Sequence, residues 1–277
     1  MEVLSTTSHT IRKITAGNDT LVQDELAVEE PLEIRIKYWE KGRQIARNIS
    51  VTMRTPGCDP ELALGFLFTE GVVHHYNQIE KVATDPFDNN VLTVELKADE
   101  KPVLGSSERN FYTTSSCGVC GKSSIEAIKT HSTYQFLESD ISVGKEILFT
   151  LKDRLREQQQ VFESTGGLHA SALFSPQGDF LMLREDVGRH NALDKIIGSA
   201  LIQNMLPLTE KLLLLSGRAS FELLQKASMA GIKIIAAIGA PSSLAVEVAE
   251  ESGITLIGFL KNDGFNIYTG FSRVTEL

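Results

Sequence analysis

The run Leu212-Leu213-Leu214-Leu215-Ser216-Gly217-Arg218-Ala219-Ser220 decides the fold. Four leucines followed by small and charged residues predict a strand that is buried on both faces and ends in a polar turn. The next segment, 220–230, has apolar residues at helical spacing and is followed by Gly231, a residue type favoured just after a helix. A strand, a turn and a helix in this order form the repeating unit of an α/β sheet.

The same unit recurs on both sides of this run. Helices are predicted over 143–162, 191–202 and 242–251, strands over 232–238, 254–260 and 265–268, and a β-hairpin over 169–174 and 180–184. Strands that are nearly continuous runs of Leu, Ile and Val are typical of parallel sheets covered by helices on both faces. We therefore predict an α/β domain with a mostly parallel sheet over residues 140–277.

The chain before residue 140 has a different pattern. Alternating segments, a proline-initiated helix and a short apolar run predict a hairpin over 32–38 and 45–53, a helix over 60–70 with Asp59 as its N-cap, and a strand over 91–96. Residues 1–20 show no sustained period. We therefore predict an N-terminal arm over 1–20, a small β-rich subdomain over 21–108, and a linker with a cysteine loop over 109–139.

Composition excludes several classes of protein. The chain has 277 residues, a net charge of -9 and three cysteines. An acidic chain lacks the surplus of Lys and Arg with which general nucleic-acid binders neutralise phosphates, and three cysteines do not form a disulfide framework. No signal peptide is evident, and the longest apolar stretches are shorter than the ~20 residues of a membrane span. We expect a cytoplasmic protein with no nucleic-acid or membrane partner.

The connections that follow the predicted strands are rich in Gly, Ser, Arg and Lys. In such sheets ligands bind beyond the carboxyl ends of the strands, where helix N-termini hold anions. Arg218 is hard to explain as a packing residue, and His190 lies at a predicted helix start, whereas His169 is equally well explained as a core histidine. The pattern predicts a pocket for an anionic small molecule, built from connections 185–191, 216–220, 239–243 and 261–264.

The segment Thr114-Ser115-Ser116-Cys117-Gly118-Val119-Cys120-Gly121 holds two of the three cysteines. Small polar residues and glycine bury little apolar area, so we expect an exposed, mobile loop. A Cys-x-x-Cys pair has three serious interpretations. It can bind zinc, act as a dithiol oxidoreductase, or carry sulfur as a persulfide on Cys117.

The zinc interpretation needs two further ligands, for which Cys58, His169 and His190 are the candidates. A zinc nucleobase deaminase pairs His-x-Glu with a downstream Pro-Cys-x-x-Cys. Here Ser171 stands where the Glu is needed, and the cysteines precede the histidine. Deamination is therefore disfavoured, because the glutamate that shuttles the proton is missing.

Several of these motifs together resemble the formate dehydrogenase accessory sulfurtransferase family (FdhD). The resemblance spans the chain from about residue 20 to its C-terminus. Its most specific run is Glu185-Asp186-Val187-Gly188-Arg189-His190. The other matching segments are 116–121, 167–170, 191–195, 216–220 and 244–249.

The resemblance implies a sulfur carrier for molybdenum cofactor maturation. Such a protein takes sulfur from a cysteine desulfurase as a persulfide, here on Cys117, and passes it to bis(molybdopterin guanine dinucleotide) before that cofactor enters formate dehydrogenase. Cys120 would act second, by resolving or relaying the persulfide. The family's cofactor-binding segment corresponds to Phe259-Leu260-Lys261-Asn262-Asp263-Gly264. We place Arg218, Ser216, Arg189, His190 and His169 around the same ligand.

The resemblance also implies a cytidine deaminase-like fold for the α/β domain, a homodimer, and no tightly held metal. Two alternatives remain open. One is a zinc-binding, deaminase-like hydrolase, and the other is a non-catalytic chaperone that only protects the cofactor.

Overall fold

The computed structural model describes residues 4–104, 134 and 137–276. Cys117 and Cys120 lie outside this set. The N-terminal elements are β1 (Thr6–Thr15), β2 (Asn18–Ala27), β3 (Glu30–Glu40), β4 (Arg43–Arg54), α1 (Asp59–Thr69), β5 (Ile79–Thr84) and β6 (Val91–Leu96). Next come β7 (Val143–Gly144), α2 (Lys145–Gln158), α3 (Gln160–Thr165), β8 (His169–Phe174), β9 (Phe180–Asp186), α4 (Arg189–Ile202) and β10 (Leu212–Leu215). The chain ends with α5 (Phe221–Met229), β11 (Ile234–Ala237), α6 (Ser243–Glu251), β12 (Thr255–Lys261), β13 (Gly264–Thr269) and β14 (Val274–Thr275).

The predicted hairpin of the N-terminal part is confirmed as β3 and β4. With β5 and β6 they form a four-stranded sheet in the order β4-β3-β6-β5. The alternation of β3 buries Leu32, Ile34, Ile36 and Tyr38 on one face. That face covers α1, whose apolar residues lie on all sides of the helix, so α1 must be enclosed rather than half-exposed.

Residues 1–20 are not an arm without regular structure, because β1 and β2 form an antiparallel hairpin from Thr6 to Ala27. Most residues of both strands are exposed, among them Ile14 and Leu21. A strand reveals itself in sequence through the alternation of buried and exposed positions. A hairpin that buries neither face does not impose that alternation, so the sequence pattern missed it.

The C-terminal half forms one six-stranded sheet in the order β13-β12-β11-β10-β8-β9. Helix α2 covers one face, and α4, α5 and α6 pack against the other. The prediction of a mostly parallel sheet is wrong, because only the β10–β11 and β11–β12 pairs are parallel among its five pairs. The hairpins β8–β9 and β12–β13 flank this parallel centre with antiparallel strands. Likeness to the cytidine deaminase fold stays a prediction.

Two predicted helix boundaries also shift. α1 starts at Asp59, with Cys58 at the N-cap in the left-handed conformation at φ 56°. Asp59 does not cap the helix, because its carboxylate accepts hydrogen bonds from Arg54 Nε and Nη2 at 3.0 and 2.9 Å. The helix predicted over 143–162 is divided into α2 and α3 by Gln159, whose ψ of 72° is not helical. Among the residues that the structure describes, no helix is long and apolar enough to cross a membrane.

The two halves share a core because α1 and α4 cross with their backbones in contact. A methyl carbon added to Gly65 would lie 1.8 Å from the carbonyl oxygen of Asp194, and one added to Gly198 would lie 1.8 Å from that of Glu61. Only glycine fits at either position. One hydrophobic cluster therefore runs from Leu32 in the four-stranded sheet to Leu213 in the six-stranded sheet.

A buried ion pair fastens the same helices. Lys226 Nζ of α5 lies 3.0 and 2.8 Å from the two carboxylate oxygens of Asp194 in α4. The hydroxyl of Thr69 in α1 lies 2.9 Å from both partners, donating to Asp194 and accepting from Lys226. Because buried charges must be paired and hydrogen-bonded, this cluster fixes the three helices relative to one another.

Replacing Gly65 by Ala should lower the free energy of unfolding by about 3 kcal/mol or more, because the methyl group overlaps backbone that cannot move aside. This loss should exceed the ~1 kcal/mol that alanine gains in helix propensity. Urea unfolding measures the effect, and Gly17→Ala in the exposed β1–β2 turn is the control, since nothing lies within 4 Å of its added carbon. A Gly65→Ala protein as stable as Gly17→Ala would contradict the close contact.

Candidate functional site

The loops after β10 and β11 meet each other and Phe259 of β12 at one edge of the six-stranded sheet. Gly239 N donates to Gly217 O at 3.0 Å, and Ala219 N donates to Ala240 O at 3.2 Å. Phe259 N in turn donates to Gly239 O at 3.1 Å. These bonds join the two loops and Phe259 into one surface at the carboxyl ends of the parallel strands, where ligands bind in sheets of this kind.

His169 lies at the same edge because β8 runs antiparallel to β10. The link between β8 and the β10 loop is double: Ala170 N donates to Ser216 Oγ at 2.8 Å, and Ser216 N donates to Ala170 O at 3.0 Å. A carbon added to Gly217 would lie 3.3 Å from His169 Nδ1. The glycine therefore lets the half-buried imidazole lie directly against the loop backbone.

His190 comes to this edge at the start of α4. Its Nε2 is 3.4 Å from Ser220 Oγ and 3.8 Å from Glu222 Oε2. The ring is buried, and burial together with the charges of Arg189 and Lys226 lowers the pKa of His190 to about 4. Burial, followed by the charge of Arg189, also lowers the pKa of His169. Both imidazoles are therefore neutral near pH 7 and offer hydrogen bonds rather than charge.

Positive charge at the edge comes from arginine. Arg189, the first residue of α4, influences the pKa values of both histidines through its charge. Its Nε atom is buried, and no described residue accepts a hydrogen bond from it. A buried donor without an acceptor is costly, so an acceptor atom of a ligand that reached Arg189 Nε would relieve this cost. Arg218 on the β10 loop is exposed at the same edge.

The residues of the predicted cofactor-binding segment 259–264 lie in three different environments. Phe259 lies at the edge with a positive φ of 54°, in a region of irregular pairing between β12 and β13, and its side chain is 44% exposed. Leu260 is buried in the cluster below α2. Lys261, Asn262 and Asp263 are exposed at the β12–β13 turn, where Asn262 donates a hydrogen bond to Asp153 of α2.

Cys117 and Cys120 lie outside the described residues, but the residues on either side of their segment are placed. Leu104 and Tyr134 both pack against the larger hydrophobic cluster. A carbon added to Gly231 would lie 3.3 Å from Tyr134 Cβ, so Tyr134 is near the amino end of β11. Tyr134 therefore lies near the amino ends of the parallel strands. His169 and Arg189 lie at the opposite ends of these strands.

The described residues contain no group of three or more His, Cys, Asp or Glu side chains that could hold a metal ion. Cys58, a candidate zinc ligand, is the N-cap of α1, where burial and the charge of Glu61 raise the pKa of its thiol. The cysteine pair that the zinc hypothesis needs is outside this part of the chain.

Sequence reasoning missed the residues that hold the turn before Arg189. Asp186 and Lys195 form a buried ion pair at 2.7 Å, and Thr55, at the end of β4, bonds to Asp186 and Val187. For Lys195 the available signal was its place, with Asp194, in the mostly apolar run 192–197. Asp186 was not marked in this way, because charged residues surround it in the sequence. Thr55 gave no signal, because its partners lie 131 and 132 residues away.

Comparison with known proteins gives a consistent result. A family model described as the FdhD/NarQ family matches residues 27–275. The chain is 50% identical to "Sulfur carrier protein FdhD" of Mycolicibacterium paratuberculosis, with 97% of this chain and 98% of that protein covered. It is 45% identical to the protein of the same name from Saccharolobus solfataricus, with 91% of each covered. The fold matches the crystal structure of a candidate formate dehydrogenase accessory protein from Desulfotalea psychrophila, with a TM-score of 0.73, 20% identity, and 98% and 100% of the two chains covered.

Acidification should destabilise the protein through His190. The unfolded chain binds a proton below the ordinary histidine pKa of about 6.5, whereas folded His190 does so only below about 4. Stability is therefore lost as the pH falls through this window, by roughly 3 kcal/mol from this residue. Denaturant unfolding between pH 7 and pH 4.5 should show a shallower decline for His190→Gln than for the unsubstituted protein. Parallel declines would contradict the lowered pKa.

Proposed function

The chain belongs to the FdhD/NarQ family, and we propose that it is a sulfurtransferase that carries sulfur as a persulfide on Cys117. It accepts the sulfur from a cysteine desulfurase. It then delivers the sulfur to bis(molybdopterin guanine dinucleotide), which is its substrate, before that cofactor enters formate dehydrogenase. The relatives' name, sulfur carrier protein, supports the transfer of sulfur, and the formate dehydrogenase accessory relative supports the client.

The observation that carries this proposal is the chemistry of the sheet edge. Arg189 offers a buried donor without an acceptor among the described residues. Arg218 adds exposed charge, and Ser216, His169 and His190 add neutral polar groups to the same edge. Arginines and backbone amides are the usual partners of phosphate groups. The edge therefore suits the anionic guanine dinucleotide part of the substrate, with Phe259 exposed beside it.

In sulfur loading, the outer sulfur of a persulfide passes from the donor cysteine to Cys117. The Cys117 thiolate attacks the outer sulfur of the donor persulfide, the bond between the two donor sulfurs breaks, and the donor cysteine leaves as a thiolate. Delivery can use Cys120, whose thiolate attacks Cys117 Sγ and releases the outer sulfur as hydrosulfide. That step leaves a Cys117–Cys120 disulfide, which a cellular dithiol must reduce before the next cycle.

The covalent chain is long enough for Cys117 to reach the edge. Cys117 is 13 residues after Leu104 (117 − 104) and 17 before Tyr134 (134 − 117). Thirteen extended residues span at most about 45 Å, whereas the eight residues from Gly231 to Gly239 span about 26 Å across the sheet. Attachment at the opposite edge therefore does not prevent the thiol from meeting a ligand held by Arg189.

We further propose that the protein works in the cytoplasm as a homodimer and holds no metal of its own. Two rival functions make different predictions. A zinc-binding, deaminase-like hydrolase would contain stoichiometric zinc that a Cys117/Cys120 double variant loses. A non-catalytic chaperone would support full formate dehydrogenase activity without Cys117.

Incubation with a cysteine desulfurase and cysteine should add one sulfur atom, about 32 Da, to the Cys117 peptide. Mass spectrometry detects the adduct, and Cys117→Ala should abolish it. Cys58→Ala is the matched control, because Cys58 is the third cysteine and its raised thiol pKa makes it a poor nucleophile. Normal loading of Cys117→Ala would refute the persulfide assignment.

Replacing Arg218 by Ala should weaken the binding of GDP, a soluble probe for the guanine nucleotide part of the substrate, by about tenfold. A charge-assisted hydrogen bond to phosphate contributes roughly this much. Calorimetry measures the dissociation constant. Arg43→Ala, at the exposed turn between β3 and β4, is the control for loss of a positive charge. Equal affinities of the two variants would remove Arg218 from the site.

A further inference from the structure

The turn that precedes Arg189 is held by a buried ion pair whose two partners also hydrogen-bond to the main chain. Asp186 and Lys195 are fully buried, and their charged atoms are 2.7 Å apart. Lys195 Nζ also donates to the carbonyl oxygens of Thr55 and Glu185 at 2.9 and 3.3 Å. The ammonium group thus has two main-chain acceptors in addition to its carboxylate partner.

The carboxylate of Asp186 accepts hydrogen bonds from the main chain of its own turn and from the segment that follows β4. Oδ1 accepts from Gly188 N at 2.8 Å and from Asn191 Nδ2 at 3.0 Å, while Oδ2 accepts from Thr55 N at 3.2 Å. The Thr55 hydroxyl accepts from Val187 N at 3.2 Å. Residues 186–188 are therefore attached at successive positions, immediately before Arg189.

The end of β4 supplies the other half of these bonds. Asn191 Nδ2 donates to Met53 O at 2.7 Å, and Thr52 Oγ1 donates to Asn191 Oδ1 at 3.1 Å. Thr52, Met53 and Thr55 belong to the N-terminal part, whereas Arg189 belongs to the six-stranded sheet's edge. The position of Arg189 thus depends on contacts that cross between the two halves of the molecule.

A buried ion pair is in itself weak evidence for stability, because desolvation offsets much of its attraction. The two buried pairs of α4 differ in what they hold. Asp194–Lys226 meets the side chain of Thr69 between helices, whereas Asp186–Lys195 meets mainly backbone atoms of two chain segments. The Asp186–Lys195 pair therefore fixes the backbone of the residues directly before Arg189.

We propose that Asp186, Lys195 and Thr55 are positioning residues that hold the Val187–Gly188 turn, so that Arg189 stays beside His169 and His190 at the sheet edge where the ligand binds. This inference rests on the proposed nucleotide site and adds that the N-terminal β unit completes it. Ligand affinity then depends on Thr55, the residue after β4, which contacts the turn rather than the ligand.

The test is GDP calorimetry on matched variants of the full chain. Lys195→Met should weaken binding by about tenfold or more, as removal of supporting residues does at other sites. Lys226→Met is the control, because it also removes one buried positive charge next to α4 and should leave the affinity within about twofold. Thr55→Val and its control Thr69→Val each remove one buried hydroxyl without changing charge. They decide the question if Lys195→Met does not fold.

A double-variant cycle separates positioning from general destabilisation. If Lys195 and Thr55 act through Arg189, their substitution should not weaken GDP binding further in an Arg189→Ala protein. Additive losses in that background, or equal losses in the Thr55→Val and Thr69→Val proteins, would overturn the positioning role. Failure of the unsubstituted protein to bind GDP would instead overturn the nucleotide site, and the positioning role with it.

Discussion

The rest of the structure depends on the backbone contact between α1 and α4, which Gly65 and Gly198 make possible. Because the helices approach so closely, α1 can be enclosed between the four-stranded sheet and α4. One hydrophobic cluster then continues through both halves of the chain. The same enclosure removes Asp194 from water, which explains why Lys226 and Thr69 surround it.

At the sheet edge that carries His169, His190, Arg189 and Arg218, hydrogen bonding and charge come from different residues. Burial lowers the pKa values of His169 and His190, so near pH 7 they can form hydrogen bonds at this edge without adding charge. Arg189 and Arg218 supply the charge, one at a helix start and one on an exposed loop. In a protein whose net charge is -9, such a local concentration of cations favours an anion at this edge over the rest of the surface.

The sequence predicted the parts of the structure that have local signals. Apolar periodicity located the strands and helices of the C-terminal half, and two of the polar connections, those after β10 and β11, do meet at one edge of the sheet. The hairpin of β8 and β9 was predicted and is confirmed. The antiparallel pairing of β8 with β10 and of β12 with β13 was missed, because chain order alone does not give the direction of a neighbouring strand. The contact of Gly65 with Asp194 and the bond of Thr55 to Asp186 join positions more than 120 residues apart, so one sequence contains no pattern for them. Glycines inside two helical segments were the available hint of close packing.

Helix α4 carries opposite charges at neighbouring positions, Asp194 and Lys195, and each faces a different buried partner. One residue inserted or deleted before them would turn the helix by about 100°. After an insertion, Asp194 would take the place of Lys195 beside Asp186, and two carboxylates would share one buried space. After a deletion, Lys195 would take the place of Asp194 beside Lys226, and two ammonium groups would be buried together. Length changes in this part of the chain should therefore be purged during evolution even where single substitutions survive. The two neighbouring charges thus fix the register of α4 relative to its buried partners.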